Sequence, residues 1–146
     1  MVVAATTYYQ AGAVTFGVEG RAVYGDDNDA SCAEGPTLHV FDTETGLEHL
    51  RFDALPGEEH YHYLTPGEQN YWIGFDTVAN GEFTAWILDR VRTRLPDLLR
   101  EAGAADHATR VDPEAVDTIL PRVETHLRIR DLRLPANRPA AAPRVE

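Results

Sequence analysis

Val14, Phe16 and Val18 alternate with Thr15, Gly17 and Glu19, the period-two pattern of a strand with one buried face and one wet face. Residues 21–24 pair with this strand or extend it past a bend at Gly20. The following stretch, GDDNDASCAEGP at 25–36, is acidic, rich in turn formers and almost free of large apolar groups, so it predicts a loop. Residues 37–42 and 47–53 predict the arms of a hairpin closed by Thr43-Glu44-Thr45-Gly46. Such a closure puts His39 opposite Leu50, Phe41 opposite Glu48 and Thr37 opposite Phe52, leaving Leu38, Val40, His49 and Arg51 on the other face. A one-residue slip would exchange these partners. Turns at Pro56-Gly57 and at 65–70 then separate two further strands, 60–64 and 71–75. The expected product is an antiparallel meander of about five strands.

From Glu82 the period changes. Phe83, Trp86, Ile87, Val91, Leu95, Leu98 and Leu99 recur at helical spacing, with Asp89, Arg90, Arg92 and Arg94 on a polar face. Asn80 is the expected N-cap. Pro96 should kink this helix or start a second one, and Gly103 should end it. Asp112-Pro113-Glu114 is a helix start: a cap, a proline at the first position, then an acid near the positive end. Val116, Ile119, Leu120 and Val123 form its buried stripe. Leu127 and Ile129 alternate with Arg128 and Arg130, which suggests a C-terminal strand returning to the sheet. The expected fold class is α+β, a meander packed on one face by two helical segments. Trp86, Ile87, Val91, Leu95, Val116, Ile119 and Leu120 should enter the shared core. Residues 1–134 are expected to form a single domain, and 135–146, rich in proline and alanine, a flexible tail.

Composition narrows the function classes. The chain has 146 residues, 43% hydrophobic and 25% charged, in keeping with an ordinary globular protein. Its formal net charge of −11 argues against nucleic acid as a partner, because phosphate binding needs a dense positive field. Solubility, or a basic protein partner, suits that charge better; a homo-oligomer is the other assembly expected. All thirteen basic residues are arginine, so lysine Schiff-base chemistry and a lysine phosphate loop are excluded. Cys32 is the sole cysteine and has no partner for an intramolecular disulfide. No apolar run approaches the ~20 residues of a membrane span, and no charged-then-apolar leader opens the chain. The expectation is a cytoplasmic protein that does not engage a membrane.

Chemistry concentrates in Glu58-Glu59-His60-Tyr61-His62-Tyr63. On a strand, His60 and His62 point the same way about 7 Å apart, and two imidazoles so placed can share a divalent metal if another strand supplies a third ligand. Asp53, Glu59 and Glu68 are the carboxylate candidates, and His39 and His49 are further imidazoles. Arg51 and Asp53 share a strand face opposite Phe52, where they can pair with each other or hold a polar ligand. If β-strand neighbours bring them beside His60 and His62, a buried Asp–His contact could orient an imidazole for acid–base work. Asp53, His60 and His62 are therefore the catalytic candidates, His60 and His62 the metal ligands, and Arg51, Tyr61 and Tyr63 the ligand-binding candidates. The simpler alternative is structural, since alternating tyrosine and histidine can give a sheet one aromatic face and one wet face. Asp26-Asp27-Asn28-Asp29 suggests calcium but lacks the glycine and terminal glutamate of an EF-hand.

His60, His62 and Glu68 faintly resemble the His-X-His and glutamate of cupins, a likeness that stops where the chain turns helical and the second cupin motif would follow. Leu50-Arg51-Phe52-Asp53 followed by His60-Tyr61-His62-Tyr63 resembles a signature in an uncharacterised family of small bacterial proteins. That resemblance implies that the polar residues belong to one site and carries no activity with it. A looser likeness exists to TumE-type toxins, where an arginine-aromatic-aspartate segment also precedes histidines. Two function classes follow: a small-ligand-binding or enzyme-like site around Arg51, Asp53, His60 and His62, with a divalent metal as candidate cofactor, or a non-catalytic acidic interaction protein.

Overall fold

Each strand of the sheet pairs with the next one in the chain, so local hairpins account for the whole topology. The computed structural model describes residues 6–24 and 32–129. Among these, six strands run β1 (Thr7–Ala11), β2 (Val14–Tyr24), β3 (Cys32–Asp42), β4 (Glu48–Asp53), β5 (His60–Thr65) and β6 (Gln69–Gly74). They pair antiparallel in the order β1-β2-β3-β4-β5-β6. Four helices follow: α1 (Thr77–Asn80), α2 (Phe83–Glu101), α3 (Ala105–Thr109) and α4 (Pro113–Leu127). This is the expected α+β meander with one strand added at its leading edge.

Apolar parity decides which face the helices cover. Val14, Phe16 and Val18 of β2, Leu38 and Val40 of β3, and Leu50 and Phe52 of β4 are all buried. They pack in one cluster with Ile87, Val91, Leu95 and Leu99 of α2 and with Val116, Leu120, Val123 and Leu127 of α4. Burying each such side chain is worth roughly 1.5–3 kcal/mol. Trp86 and Ile119, expected in the core, sit half-buried at its rim. The opposite face of the sheet carries no helix among the described residues and holds the polar side chains.

The β3–β4 register departs from the expected one. Thr37 pairs with Asp53, His39 with Arg51 and Val40 with Leu50, while Phe41 pairs with Glu48 as expected. A bulge between Val40 and Phe41 absorbs His49 as an extra residue. The slip keeps Leu38, Val40, Leu50 and Phe52 on the core face together. Burial of four large apolar groups outweighs the regular ladder that the turn alone would favour.

Other boundaries also shift. Cys32–Pro36, expected in a loop, extends β3 and pairs with β2 as far as Tyr24; Asp26–Asp29 lie outside the described residues. Asn80 does not cap α2: it ends the short α1, which Asp76 caps by accepting from the amides of Val78 and Ala79 at 2.9 and 3.1 Å, while the N-cap of α2 is Glu82, with no side-chain capping bond. The chain kinks at Arg94 (φ −134°) ahead of Pro96, and Gly103 at φ +81° lies just beyond the C-cap of α2, as expected. Asp112 caps α4 by accepting from Glu114 and Ala115. The C-terminal strand does not form from Leu127: that residue ends α4 and Arg128 is its C-cap. Leu127 continues the helical stripe of Val116, Leu120 and Val123, and packing that stripe overrides a two-residue alternation. Arg130 and the tail at 135–146 lie outside the described residues.

Gly35 marks the tightest approach in the sheet. A Cβ there would lie 2.4 Å from the Ala54 carbonyl oxygen, a backbone atom that cannot swing aside. Gly35→Ala should therefore lower stability by about 1–3 kcal/mol, read from urea unfolding midpoints. A variant within experimental error of the parent would contradict this packing.

Candidate functional site

The open face is built from two transverse rows of directly paired residues. One row crosses β2 to β6 as Glu19, Thr37, Asp53, His60 and Gly74. The next crosses as Gly17, His39, Arg51, His62 and Trp72. Direct pairing in an antiparallel sheet puts side chains on the same face, close enough to interact. The sheet thus sets Asp53 beside His60, with His62 on the neighbouring row.

Asp53 is only 1% exposed although it faces away from the core. Its Oδ1 is taken twice: Thr37 Oγ1 donates at 2.6 Å and Arg21 Nη1 at 2.9 Å. Its Oδ2 has no hydrogen-bond partner among the described residues, yet His60 Nε2 stands 3.1 Å away and His62 Nε2 3.3 Å. The far nitrogens of both rings are engaged elsewhere. His60 Nδ1 donates to the Glu58 carbonyl at 2.7 Å, and a carbonyl can only accept, so that nitrogen carries the proton. His62 Nδ1 is held by Asn70 Oδ1 at 2.7 Å. Where the two rings are neutral in those tautomers, both Nε2 atoms are free of protons beside Asp53 Oδ2, and all three atoms are within reach of one cation. Burial pushes the His62 imidazole below its ordinary value, against the opposing pull of Asn70 and Asp53.

These three atoms form one of two groups among the described residues whose donors all lie within 4.8 Å of one another. Four ligands bound tetrahedrally at ~2.0–2.1 Å stand about 3.3 Å apart. The two Nε2–Oδ2 separations match that edge. Arg21, Thr37, Glu58 and Asn70 supply the outer contacts that fix carboxylate and ring orientations. Trp72 stacks on the His60 ring at 5.1 Å. It can do so because Gly74 has no side chain: a Cβ there would lie 3.2 Å from the indole. An open cleft of about 580 Å³ between the β3–β4 and β5–β6 turns is lined by Glu48, Arg51 and Asn70, and so reaches the support of His62.

Beside this cluster runs a chain of alternating charges. His39 lies between Glu19, on its Nε2, and Glu48, whose Oε2 is 2.5 Å from its Nδ1. Glu48 also accepts from Arg51 Nε and Nη2, at 3.1 and 2.8 Å. Burial alone would discharge His39, but bonds to both carboxylates outweigh it and raise its pKa to about 9. Burial likewise opposes charge on Glu48, and the bonds from His39 and Arg51 still hold it at about 2.

Of the residues expected in the site, Asp53, His60 and His62 converge. Arg51 shares their face but pairs with Glu48, while Arg21 takes the place beside Asp53. Tyr61 and Tyr63 point to the opposite face, where Tyr61 packs on Phe52 and Trp86. His39 is bound up with its two glutamates. His49 sits on the core side, its ring 5.4 Å from that of His107. Glu59 and Glu68 contribute no donor to the three-atom group, whose carboxylate is Asp53 alone. Arg21, Thr37, Asn70 and Trp72 carried no local motif; only strand register brings them in.

The fold and site define an α+β meander with a carboxylate–imidazole cluster, centred on a buried aspartate, on the sheet face opposite the helices. Residues 8–127 match the model of a domain of unknown function, DUF7700, and the chain belongs to that family. No curated protein and no solved structure matches the chain significantly. No helix among the described residues is long and apolar enough to cross a membrane.

The raised pKa of His39 has a pH signature. A folded-state value of about 9, above the ordinary 6.5, gives stabilisation that is complete below pH 6.5 and lost as pH climbs through 9. Stability should fall across that window by up to about 3 kcal/mol, and His39→Gln should flatten the slope. Denaturant unfolding at both ends checks this; equal slopes in parent and variant would contradict it.

Proposed function

We propose that the open face holds a mononuclear first-row divalent metal through Asp53 Oδ2, His60 Nε2 and His62 Nε2, and that this centre binds a small anionic ligand. The observation that carries the reading is the convergence of two imidazole Nε2 atoms on a buried carboxylate oxygen that has no hydrogen-bond partner among the described residues. A cation is the group that turns three mutually repelling acceptors into ligands. Two imidazoles and one carboxylate suit zinc, iron(II) or a similar borderline ion better than calcium or magnesium, which prefer all-oxygen cages.

Three protein ligands leave a coordination position for water or a ligand. A divalent cation bound there would supply Lewis acidity, polarising a carbonyl or phosphoryl oxygen or acidifying a bound water. Charge favours an anion as the guest. Asp53 is already matched by Arg21, so the metal's own charge is uncompensated. The neighbouring set of Glu19, His39, Glu48 and Arg51 is internally balanced, since His39 is charged at neutral pH. Arg21, a third exposed, and the cleft beside Arg51 give a carboxylate or phosphate somewhere to dock. The nearby Trp72, 61% exposed, offers a flat apolar wall.

Elemental analysis of purified untagged protein should find close to one equivalent of a transition metal after loading with zinc or iron(II). Asp53→Asn and His60→Ala/His62→Ala should abolish that binding while remaining folded by circular dichroism. Asn70→Ala, which removes only the outer support of His62, should weaken it by ~10–100-fold. A folded parent that takes up no zinc, iron(II), manganese or nickel would overturn the proposal.

A further inference from the structure

A second group of donors lies on the other side of the sheet, where the β3–β4 hairpin meets α3. Asp42, His49 and His107 each offer one ligand atom, all within 4.8 Å of one another. His49 is 8% exposed and His107 1%. His107 Nε2 faces the Ala13 carbonyl at 2.9 Å, so it carries the proton and leaves Nδ1 as a lone pair. The Nδ1 atoms of His107 and His49 are both buried with no hydrogen-bond partner among the described residues. Buried polar atoms rarely remain unpaired, and each instance calls for an explanation such as an ion. Two orphaned imidazole nitrogens at one place are a built feature, because the β-bulge is what turns His49 toward the core.

Asp42 decides which ion. Its Oδ2 accepts from Arg110 Nη2 at 2.6 Å, and its Oδ1 from Arg110 Nη1 at 3.1 Å and the Glu44 amide at 2.9 Å. A carboxylate has about four acceptor positions, so one is left on Oδ2. Its charge, however, is already cancelled by Arg110. At Asp53 a third-exposed Arg21 lets a counter-anion reach the metal, but here Asp42, His49 and His107 are all buried, so a dication would keep two uncompensated charges out of water, and the desolvation cost rises with the square of the charge. A monovalent cation with affinity for imidazole meets that objection best.

We infer that His49 and His107, with Asp42 as a supporting third donor, form an internal copper(I) site that pins α3 to the β3–β4 hairpin. This site is independent of the open-face centre: it shares no residue with it, lies on the opposite face and selects a different charge state. Its expected role is to hold the short α3, five residues long, against the sheet.

The test uses the full chain carrying Cys32→Ser/His60→Ala/His62→Ala, which removes the thiol and the open-face imidazoles. Titration with copper(I) under reductant, against a colorimetric copper(I) chelator, should show one equivalent retained and a thermal midpoint raised by about 5 °C. X-ray absorption should show a nitrogen and oxygen shell. Adding His49→Gln should weaken copper binding at least tenfold and remove the thermal shift. If that variant does not fold, the absorption spectrum of the parent triple variant decides, since a shell with fewer than two imidazoles overturns the site. Absence of retained copper in the folded triple variant, or equal retention after His49→Gln, would also overturn it. Zinc binding by the unmodified chain is read separately, so failure of either site leaves the other standing.

Discussion

A carboxylate on a sheet face that no helix covers among the described residues would ordinarily stay in water, and Asp53 does not: it is 1% exposed. Burying that charge is costly unless it is paired and hydrogen-bonded. Arg21 from β2 and Thr37 from β3 meet the requirement at Oδ1, while β5 closes over Oδ2 with two imidazoles. Three neighbouring strands must therefore hold their register for one side chain to be tolerated. Because Oδ1 alone is satisfied, the carboxylate is oriented, and Oδ2 is aimed at the histidines as an unspent acceptor.

The sheet separates stability from chemistry by parity. Its helix-side residues form one apolar cluster with α2 and α4, so the opposite face is free to carry charge. That freedom is used in two adjoining ways. The Glu19–His39–Glu48–Arg51 chain is a closed set of ion pairs whose groups satisfy one another, whereas the Asp53–His60–His62 group leaves its inner atoms unsatisfied. Closed networks rigidify; an open one holds capacity for a guest. The bulge at the β3–β4 turn connects the two sides, since the residue it absorbs, His49, lands beside His107 instead of joining the open face.

Much of this was legible from residue spacing because hairpins are local. His60 and His62 share a face whatever their partners, and Asp53 shares the parity of Arg51 for the same reason. The helix start at Asp112 and the kink near Pro96 rest on local chemistry that needs no tertiary context. The β3–β4 register was not legible, because turn length predicts one pairing and the burial of Leu38, Val40, Leu50 and Phe52 enforces another. Arg21 and Asn70 were invisible for a related reason: each reaches the site across a ladder, and neither has a neighbour in sequence that marks it. Leu127 misled because a two-residue alternation fits a strand end and a helix end equally until the stripe from Val116 is traced to it.

A metal on the open face requires His60 and His62 to present unprotonated Nε2 atoms beside Asp53, with each Nδ1 engaged by Glu58 or Asn70. Long-range proton–nitrogen correlation NMR of metal-free, isotope-labelled protein at neutral pH reads the tautomer of each ring directly. Both histidines should be in the Nδ1–H tautomer, with the two Nε2 resonances shifting together when zinc is added. Nε2–H tautomers or two imidazolium rings, unmoved by zinc, would contradict it.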